Sequence, residues 1–497
     1  MSQPEPRLAP CIPLPLEDKA LTEIIEKAKD WALMHGVGMR DKNHFTKDAI
    51  QFAPFVLLPS PFPRQEFNKA IELQTVLNEL MHKVAHDEAF LQRTLQNALE
   101  VDEFTANLYN IWVKVKEEGI AQPISLGMLR SDIMLDTRCP HTKPCSQHKP
   151  YCSWKQVEIN SIASGFGHLG PVSREIQSYI IRQLGHGDIV KNVSCMPENR
   201  ALSGLCTGIT DAYDLFGVPN AVVVFVVEEV SYNICDQRFH EFEIAEKRPD
   251  ITIFRKTLNE IYEESSLNDK KQLIIEERPV AVVYYRSGYE PAQYPTQREW
   301  DARLRVERST AIKCPSIGYH LAGTKKVQQA LATPGVLEGF MGAGGVTGRV
   351  RDIFTGLYSL DFDDSGERAV EMALADATRF VLKPQREGGG HNVYGADVRD
   401  ALLRMRHGRE RMAYILMERI LPPLVKGYVV RPGASVPPPL VDLVSELGIF
   451  GVIIGTKDKI YSNKQVGHML RTKLADANEG GVAAGLGALD SPLLVDL

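Results

Sequence analysis

The sequence predicts a mixed α/β (α+β) protein of more than one lobe, with helices first, a parallel α/β unit in the middle and antiparallel strands around it. Three observations lead there. Apolar residues recur at helical spacing up to Gly119, strand and helix patterns alternate over 220–326, and long apolar strands dominate the C-terminal part. At 497 residues the chain also exceeds the roughly 250–300 that one core usually serves, so two or three lobes are expected.

Between residues 17 and 35, Leu21, Ile24, Ile25, Ala28, Trp31 and Ala32 fall on one helical face, and Gly36 supplies a stop. Residues 67–118 read as two or three more amphipathic helices, with Ile71, Leu77, Leu80, Met81 and Val84 on one face. The period then changes. ISLGMLRSDIMLD and WKQVEINSIAS read as strands, the second with Val157 and Ile159 pointing one way and Glu158 and Asn160 the other. AVVVFVV, DITIFRK and VAVVYYR, separated by the helical segments IAEKR and LNEIYEE, form the pattern of a parallel sheet. After Leu360 an acidic stretch leads to strand RFVLKP, a glycine run, a helix over 396–407 and strand AYILMERI. Prolines at 422, 423, 432 and 437–439 mark a loop-rich connection, and LVSELGIFGVIIGTKDKIYSNKQVGHML reads as a hairpin turning near 456–459.

The composition, 44% hydrophobic and 24% charged, is that of a globular protein with a large core. A net charge of -6 and a pI near 6.2 argue against a general nucleic-acid binder. The first twenty residues lack the basic and apolar regions of a signal peptide, and the apolar run 221–227 suits a buried strand and is too short for a bilayer. Neither a membrane nor a nucleic-acid partner is expected. Eight cysteines spread over a chain too large to need disulfide staples fit a reducing, cytoplasmic setting. Cys139, His141, Cys145, His148 and Cys152 have zinc-ligand chemistry, but their spacing matches no short CxxC knuckle, so a surface loop is the better reading.

The segment VLKPQREGGGHNVYG carries the strongest chemical signal. An apolar strand ends at Lys383, Glu387 follows, and then Gly388, Gly389 and Gly390. Consecutive glycines let backbone N–H groups approach an anion, a lysine adds charge, and a carboxylate can hold a metal that bridges phosphates. The order is not that of a Walker A loop, and GAGGVTG at 342–348 misses the dinucleotide fingerprint. Glu158 and Asn160, two apart on a strand, place two oxygen donors on one face about 7 Å apart, a spacing suited to magnesium. On that pair alone a solvated strand face is the favoured reading. Glu446 is a similar case, and Arg471–Lys473 alone reads as an exposed strand end before the glycine loop EGGVAAGLG.

Taken in order, LGMLRSD, VEINSIAS, LAGTKKVQQ, FVLKPQREGGGHNVYG, YILMERI, SELGIFG and GHMLRTK with GGVAAG resemble the eukaryotic glutathione synthetase family, from about Phe52 onward. The resemblance implies an ATP-grasp fold: a nucleotide clamp of antiparallel sheets, a lid, and an inserted parallel α/β substrate-binding lobe. It divides the chain into 1–219, a helical and ATP-grasp part with the metal strand; 220–326, the substrate lobe; and 327–497, with a lid at about 355–440 and a closing loop at about 474–487. It further implies a ligase that joins gamma-glutamylcysteine to glycine through an acyl phosphate, using ATP and two magnesium ions, as a cytoplasmic homodimer. The alternatives are another acceptor amine, beta-alanine or serine, or a silent nucleotide-binding scaffold.

By the same resemblance Lys325 and Lys383 hold phosphates under Gly388–Gly390, and Glu158, Asn160 and Glu387 hold metal. Asn392, Tyr394, Met417, Glu418, Arg419 and Ile420 fall on nucleotide positions, as do Glu446, Lys473 and Glu479. Arg130, Arg286, Tyr289 and Arg471 fall on peptide positions, with Asn233 and Gln237. The turn Ile162, Ala163, Ser164, Gly165 and the residues Ser231, Val482 and Ala483 complete that set. Arg130, Lys325, Lys383 and Arg471 are the expected catalytic groups. Ala163, Gly165 and Ser231 depart from the family pattern at the dipeptide site, as Arg419 and His391 do elsewhere.

Overall fold

The computed structural model describes residues 5–139, 149–191, 194–387, 390–478, 480–482 and 487–497. The first helix, Asp18–Met34, buries the predicted face except for Trp31, and starts where the Glu17 carboxylate accepts the Ala20 N–H. Three helices follow, Arg64–Ala85, Glu88–Leu99 and Glu103–Glu118. Asp87 and Asp102 cap the last two by accepting the N–H groups of Phe90 and Thr105 at 2.9 and 3.0 Å. Gly119, at φ +87°, takes the chain out of the last helix.

An eight-stranded sheet forms the floor of the molecule. Its centre is the predicted hairpin, Val441–Gly455 against Ile460–Leu474, closed where the Thr456 N–H donates to the Lys459 carbonyl. Ser125–Asp136 pairs antiparallel with the first arm, and Ser153–Asn160 pairs antiparallel with Ser125–Asp136. A second, four-stranded antiparallel sheet runs in the order Leu357–Ser359, Tyr414–Glu418, Phe380–Pro384, Val393–Tyr394. Helices Asp364–Ala375 and Asp397–Met405 pack on it through Val370, Ala373, Val398 and Leu402.

The third sheet is the predicted parallel one. Thr252–Lys256, Val222–Val226, Arg278–Tyr285 and Ile312–Cys314 run parallel in that spatial order. Val222–Val226 is buried along its whole length, as a strand covered on both faces must be. Two short strands, Ser265–Leu267 and Leu273–Ile275, extend the sheet antiparallel, which the sequence pattern did not show.

Two expectations are corrected. Ser153–Asn160 does not alternate cleanly. Asp132 pairs with Glu158 but Ile133 pairs with Gln156, so Val157 is the extra residue of a β-bulge and breaks the period-two pattern. The cysteines are not all unpaired either: Cys139 and Cys152 form a disulfide, with Cα atoms 5.3 Å apart, at the open end of the Ser125–Asp136 and Ser153–Asn160 pair. The zinc question at His141, Cys145 and His148 lies outside the described residues.

Burial also sets an acid limit on stability. Loss of solvation pulls the imidazole pKa down to about 4 for His82 and His168 and to about 3 for His468. Each therefore contributes stability that is complete above the unfolded value near 6.5 and is lost as pH falls toward 4. Asp490 works the other way: burial pushes its carboxyl up to about 6, so its contribution grows as pH falls through that value. With three groups against one, the thermal midpoint is expected to fall steadily between pH 6.5 and 4, and thermal scans across that range check it. A flat midpoint would show that these histidines are not held neutral.

Candidate active site

A cavity of about 630 Å³ lies where the three sheets meet. The eight-stranded sheet contributes Arg130, Glu158, Asn160, Glu446 and Arg471, and the four-stranded sheet contributes Val381, Lys383 and Met417. Glu228 and Arg286 enter from just beyond the carboxyl ends of two parallel strands. Because Val157 is bulged, it lines the cavity together with Glu158 instead of opposing it.

One end holds two buried ammonium groups against two carboxylates. Lys325, the first residue of helix Lys325–Ala332, places Nζ 3.0 Å from Glu158 and 2.8 Å from Glu387. Lys383 Nζ donates to the Val157 carbonyl at 3.1 Å and lies 3.9 Å from Glu158. Burial alone would raise the Glu158 carboxyl, but Lys325, Lys383 and Arg471 together hold it well below the usual carboxylate range. Glu387 shares Lys325 and yet moves the other way, because burial, with the Glu158 charge, outweighs Lys325 and the weaker pull of Lys383 and pushes it up. Burial opposes the charge on Lys325 too, but its two carboxylates raise its pKa, whereas at Lys383 burial wins and lowers it. The backbone helps to aim these groups: the Lys326 N–H donates to Gln385 Oε1 and the Lys326 ammonium to Asp361, so the Lys325 helix is tied to the four-stranded sheet.

Glu158, Asn160 and Glu387 fit a small hard divalent cation. All three present oxygen, the Asn160 amide nitrogen is engaged by Asp132 at 2.9 Å so that its carbonyl oxygen is left for a ligand, and the two carboxylates already gather positive charge between them.

At the other end the polar groups are held but not saturated. Asp236, fully buried, accepts the backbone N–H groups of Phe166 and His168 at 3.0 Å each and receives Arg286 at 3.0 Å. That clamp folds the turn containing Ile162, Ala163, Ser164 and Gly165 over the cavity, with Ala163 in the left-handed region at φ +51°, a conformation a non-glycine residue adopts at some cost. Ser164 Oγ, Asn233 Oδ1, Arg286 Nε and Arg471 Nε are buried and have no partner among the described residues. Buried polar atoms are seldom left unsatisfied, so such a set around one cavity indicates a polar ligand. Arg130 forks onto Asp132 with two 2.7 Å bonds and reaches the Gly165 carbonyl, and Arg471 pairs with Glu446 at 2.5 Å.

Most of the remaining predicted residues line the same cavity: Asn392, Tyr394, Glu418, Arg419 and Ile420 on the wall of the four-stranded sheet, Gln237 and Tyr289 near Arg286, and Lys473 and Val482 by the closing loop. The Glu418 carboxylate is nonetheless committed to Tyr358 and Arg379, and its backbone N–H to the Gly356 carbonyl at 2.8 Å. Ser231 is a correction. It does not line the cavity; its hydroxyl donates to the Glu228 carbonyl at 2.7 Å and accepts from Arg255, so it shapes the turn behind the wall. Gly390 is exposed and off the lining too, while Gly388, Gly389, Glu479 and Ala483 lie outside the described residues.

Sequence reasoning missed Asp132, Asp236 and Glu228. Asp132 is detectable in principle, since it stands two residues after Arg130 on one strand and so shares its face. The other two come together only in the fold.

A family model described as eukaryotic glutathione synthase, ATP binding domain, matches residues 18–494. The glutathione synthetases of Rattus norvegicus and Homo sapiens are each 41% identical to the chain, over 96% of it and 97% and 98% of their own lengths. The chloroplastic glutathione synthetase of Arabidopsis thaliana is 37% identical over 97% of the chain and 86% of its own length. A solved glutathione synthetase-like effector from Globodera pallida, in apoform, superposes with a TM-score of 0.76 at 24% identity, covering 97% of this chain and 98% of that one, and so shares the fold. The match spans nearly every element described above, and the chain belongs to the eukaryotic glutathione synthetase family.

Proposed function

We propose that the chain joins gamma-glutamylcysteine to glycine with cleavage of ATP to ADP and phosphate, forming the peptide bond of glutathione. Family membership supports the ligase chemistry, and one observation supports its place: a single cavity has paired buried lysines and carboxylates at one end and unsatisfied amino-acid-binding groups at the other. The terminal phosphoryl group passes from ATP to the cysteinyl carboxylate, and the glycine amine then displaces phosphate from the acyl phosphate. Both steps bring anions together, so the cations must already be in place when charge moves.

Lys383 and Lys325 neutralise the phosphates, Arg130 and Arg286 orient the dipeptide, and Arg471 receives the acceptor carboxylate. Glu158, Asn160 and Glu387 would hold the magnesium ions, which when bound screen the phosphate charge. The sheet over 357–418 and the loop at about 474–487 close the cleft and keep water from the acyl phosphate. Binding of the dipeptide is assigned to the lobe 220–326. On the family resemblance the enzyme is a cytoplasmic homodimer; among the described residues no helix is long and apolar enough to cross a membrane.

Phosphate release with ATP, magnesium and gamma-glutamylcysteine should require glycine, and glutathione should accumulate in equal amount. Release without any amine, or with no peptide formed, would overturn the reading. In the same assay Glu158→Gln and Glu387→Gln are expected to raise the magnesium requirement about tenfold or more while moving the dipeptide KM much less, since each removes one hard-oxygen ligand. Unchanged magnesium titrations in both variants would place the metal elsewhere.

A further inference from the structure

The parallel strands Val222–Val226 and Arg278–Tyr285 are neighbours, with Tyr285 opposite Val226 and the Arg286 N–H donating to the Val226 carbonyl at 2.8 Å. Strand order reverses between them, because Thr252–Lys256 lies on the far side of Val222–Val226 while the chain's next parallel strand lies on the near side. In such sheets the crevice beyond the carboxyl ends at the reversal is where ligands bind. Two charged side chains from these ends line the cavity, Arg286 and Glu228.

Their surroundings differ. Arg286 is held by Asp236, Tyr284 and the Ser164 carbonyl, and its Nε has no partner among the described residues. Glu228 accepts from Gln293 and from Tyr289 and forms no ion pair among the described residues. Burial first, then the neighbouring Glu290 charge, pushes its carboxyl up, while Gln293, Lys42 and Tyr289 lower it, and Lys42 sits over the Tyr232 ring. In a cavity whose other charges are dominated by Arg130, Arg286, Lys325, Lys383 and Arg471, Glu228 is therefore a carboxylate with no ion-paired cation among the described residues.

We propose that Glu228 receives the α-ammonium group of the gamma-glutamyl residue and so selects a gamma-linked dipeptide. This rests on the glutathione-forming reading. A gamma-linked glutamyl group carries a free ammonium and a free carboxylate on one carbon, whereas an ordinary N-terminal residue has the ammonium alone. Glu228 and Arg286 project from adjacent strand ends, whose backbones run about 4.8 Å apart in a sheet, so a carboxylate and a guanidinium are offered side by side to that head group. The Ser231 hydroxyl, bonded to the Glu228 carbonyl, holds the turn that presents it.

The test compares gamma-glutamylcysteine with its des-amino analogue, N-glutarylcysteine, in wild type, Glu228→Gln and Glu228→Asp. Wild type should prefer the amino substrate in kcat/KM by about ten- to a hundredfold, as expected for one charged hydrogen-bonded pair. Glu228→Gln should use the two within about twofold of each other, with KM for ATP and glycine unchanged. Glu228→Asp should keep a preference, which covers the case in which the neutral variant folds poorly. Equal loss on both substrates in Glu228→Gln would mean that Glu228 only braces Gln293, and would overturn the proposal; so would a wild type indifferent to the amino group. A wild type that ligates neither compound to glycine instead defeats the underlying reading.

Discussion

Lys383→Ala is expected to fold like the parent and to lose two to three orders of magnitude in turnover. Loss of one fixed donor to developing charge costs roughly 3–4 kcal/mol in comparable sites. The reason for choosing Lys383 over Lys325 lies in their partners. Lys325 spends its charge on Glu158 and Glu387, at 3.0 and 2.8 Å, whereas Lys383 has one carbonyl and a carboxylate 3.9 Å away. Burial opposes the Lys383 charge, so an arriving phosphate stabilises it without displacing a strong protein partner. The same imbalance keeps the cost to stability small: removing a cation whose burial was already unfavourable strands the Val157 carbonyl, on a cavity wall that water can reach, and takes one of three cations from Glu158, which keeps Lys325 and Arg471. Lys383→Met, close in length and uncharged, should show the same kinetic loss, which separates charge from packing. Single-turnover phosphate release and a thermal midpoint on both variants decide the matter; near-normal turnover in a folded protein would remove Lys383 from phosphate handling.

How much of this could be read from the chain depends on how local each signal is. The hairpin Val441–Gly455 and Ile460–Leu474 was legible because both arms are long, apolar and joined by a short turn. The parallel sheet was legible because Val222–Val226 and most of Arg278–Tyr285 are buried on both faces and so read as nearly unbroken apolar runs. Ser265–Leu267 and Leu273–Ile275 were not, being three-residue strands whose existence depends on pairing with Arg278–Tyr285. The bulge at Val157 escaped for a related reason. A register shift is a property of two strands, and one strand's alternation cannot report it.

The site divides along the same line. Lys383 and Glu387 stand in one segment with the glycine run, so their joint chemistry was visible; Glu158 and Asn160 became credible only through family resemblance. Asp236 sits in a helix whose sequence offers nothing unusual, and its role comes from accepting three N–H groups, of Phe166, His168 and Leu169, from a turn about seventy residues earlier in the chain together with the Arg286 side chain. Glu228 begins a Glu-Glu pair, which by composition is an exposed turn, and Glu229 is indeed exposed. Ser231, by contrast, was singled out by position within a motif, and its hydroxyl turned out to face the backbone. Motif position identifies the backbone site, while the side chain answers to whatever packs behind it.

The acceptor end carries the last expectation. Arg471→Lys should raise the glycine requirement by about ten- to a hundredfold and leave the ATP requirement nearly unchanged, the effect of losing one charge-assisted hydrogen bond. Lysine is the better substitution because Arg471 lies against Glu446 at 2.5 Å and Asp132 at 3.6 Å. Alanine would leave two buried carboxylates facing each other, a loss of about 3–5 kcal/mol that could unfold the sheet and hide the kinetic effect. Lysine keeps the charge but not the second arm of the fork, and Arg471 Nε, buried without a partner among the described residues and 3.9 Å from where a Cβ on Gly480 would sit, is the arm that faces the loop. The loop itself is drawn tight at its base: the Gly487 N–H donates to the Gly481 carbonyl at 3.1 Å, and a Cβ on Gly487 would collide with the Gly480 carbonyl oxygen. Val482, next in the chain, is buried against the core. A loop pinned this closely leaves little room for an extra methylene on the acceptor, and one such group in a close-fitting pocket changes discrimination by ~1–3 kcal/mol. Wild type should therefore prefer glycine to beta-alanine by roughly ten- to two-hundredfold in kcat/KM. Competition between the two amines, run on wild type and Arg471→Lys, checks both statements, since the variant should lose affinity for either amine while the preference persists. Equal use of beta-alanine by wild type would assign the loop no part in selection, and an unaltered glycine saturation curve in the variant would remove Arg471 from the acceptor site.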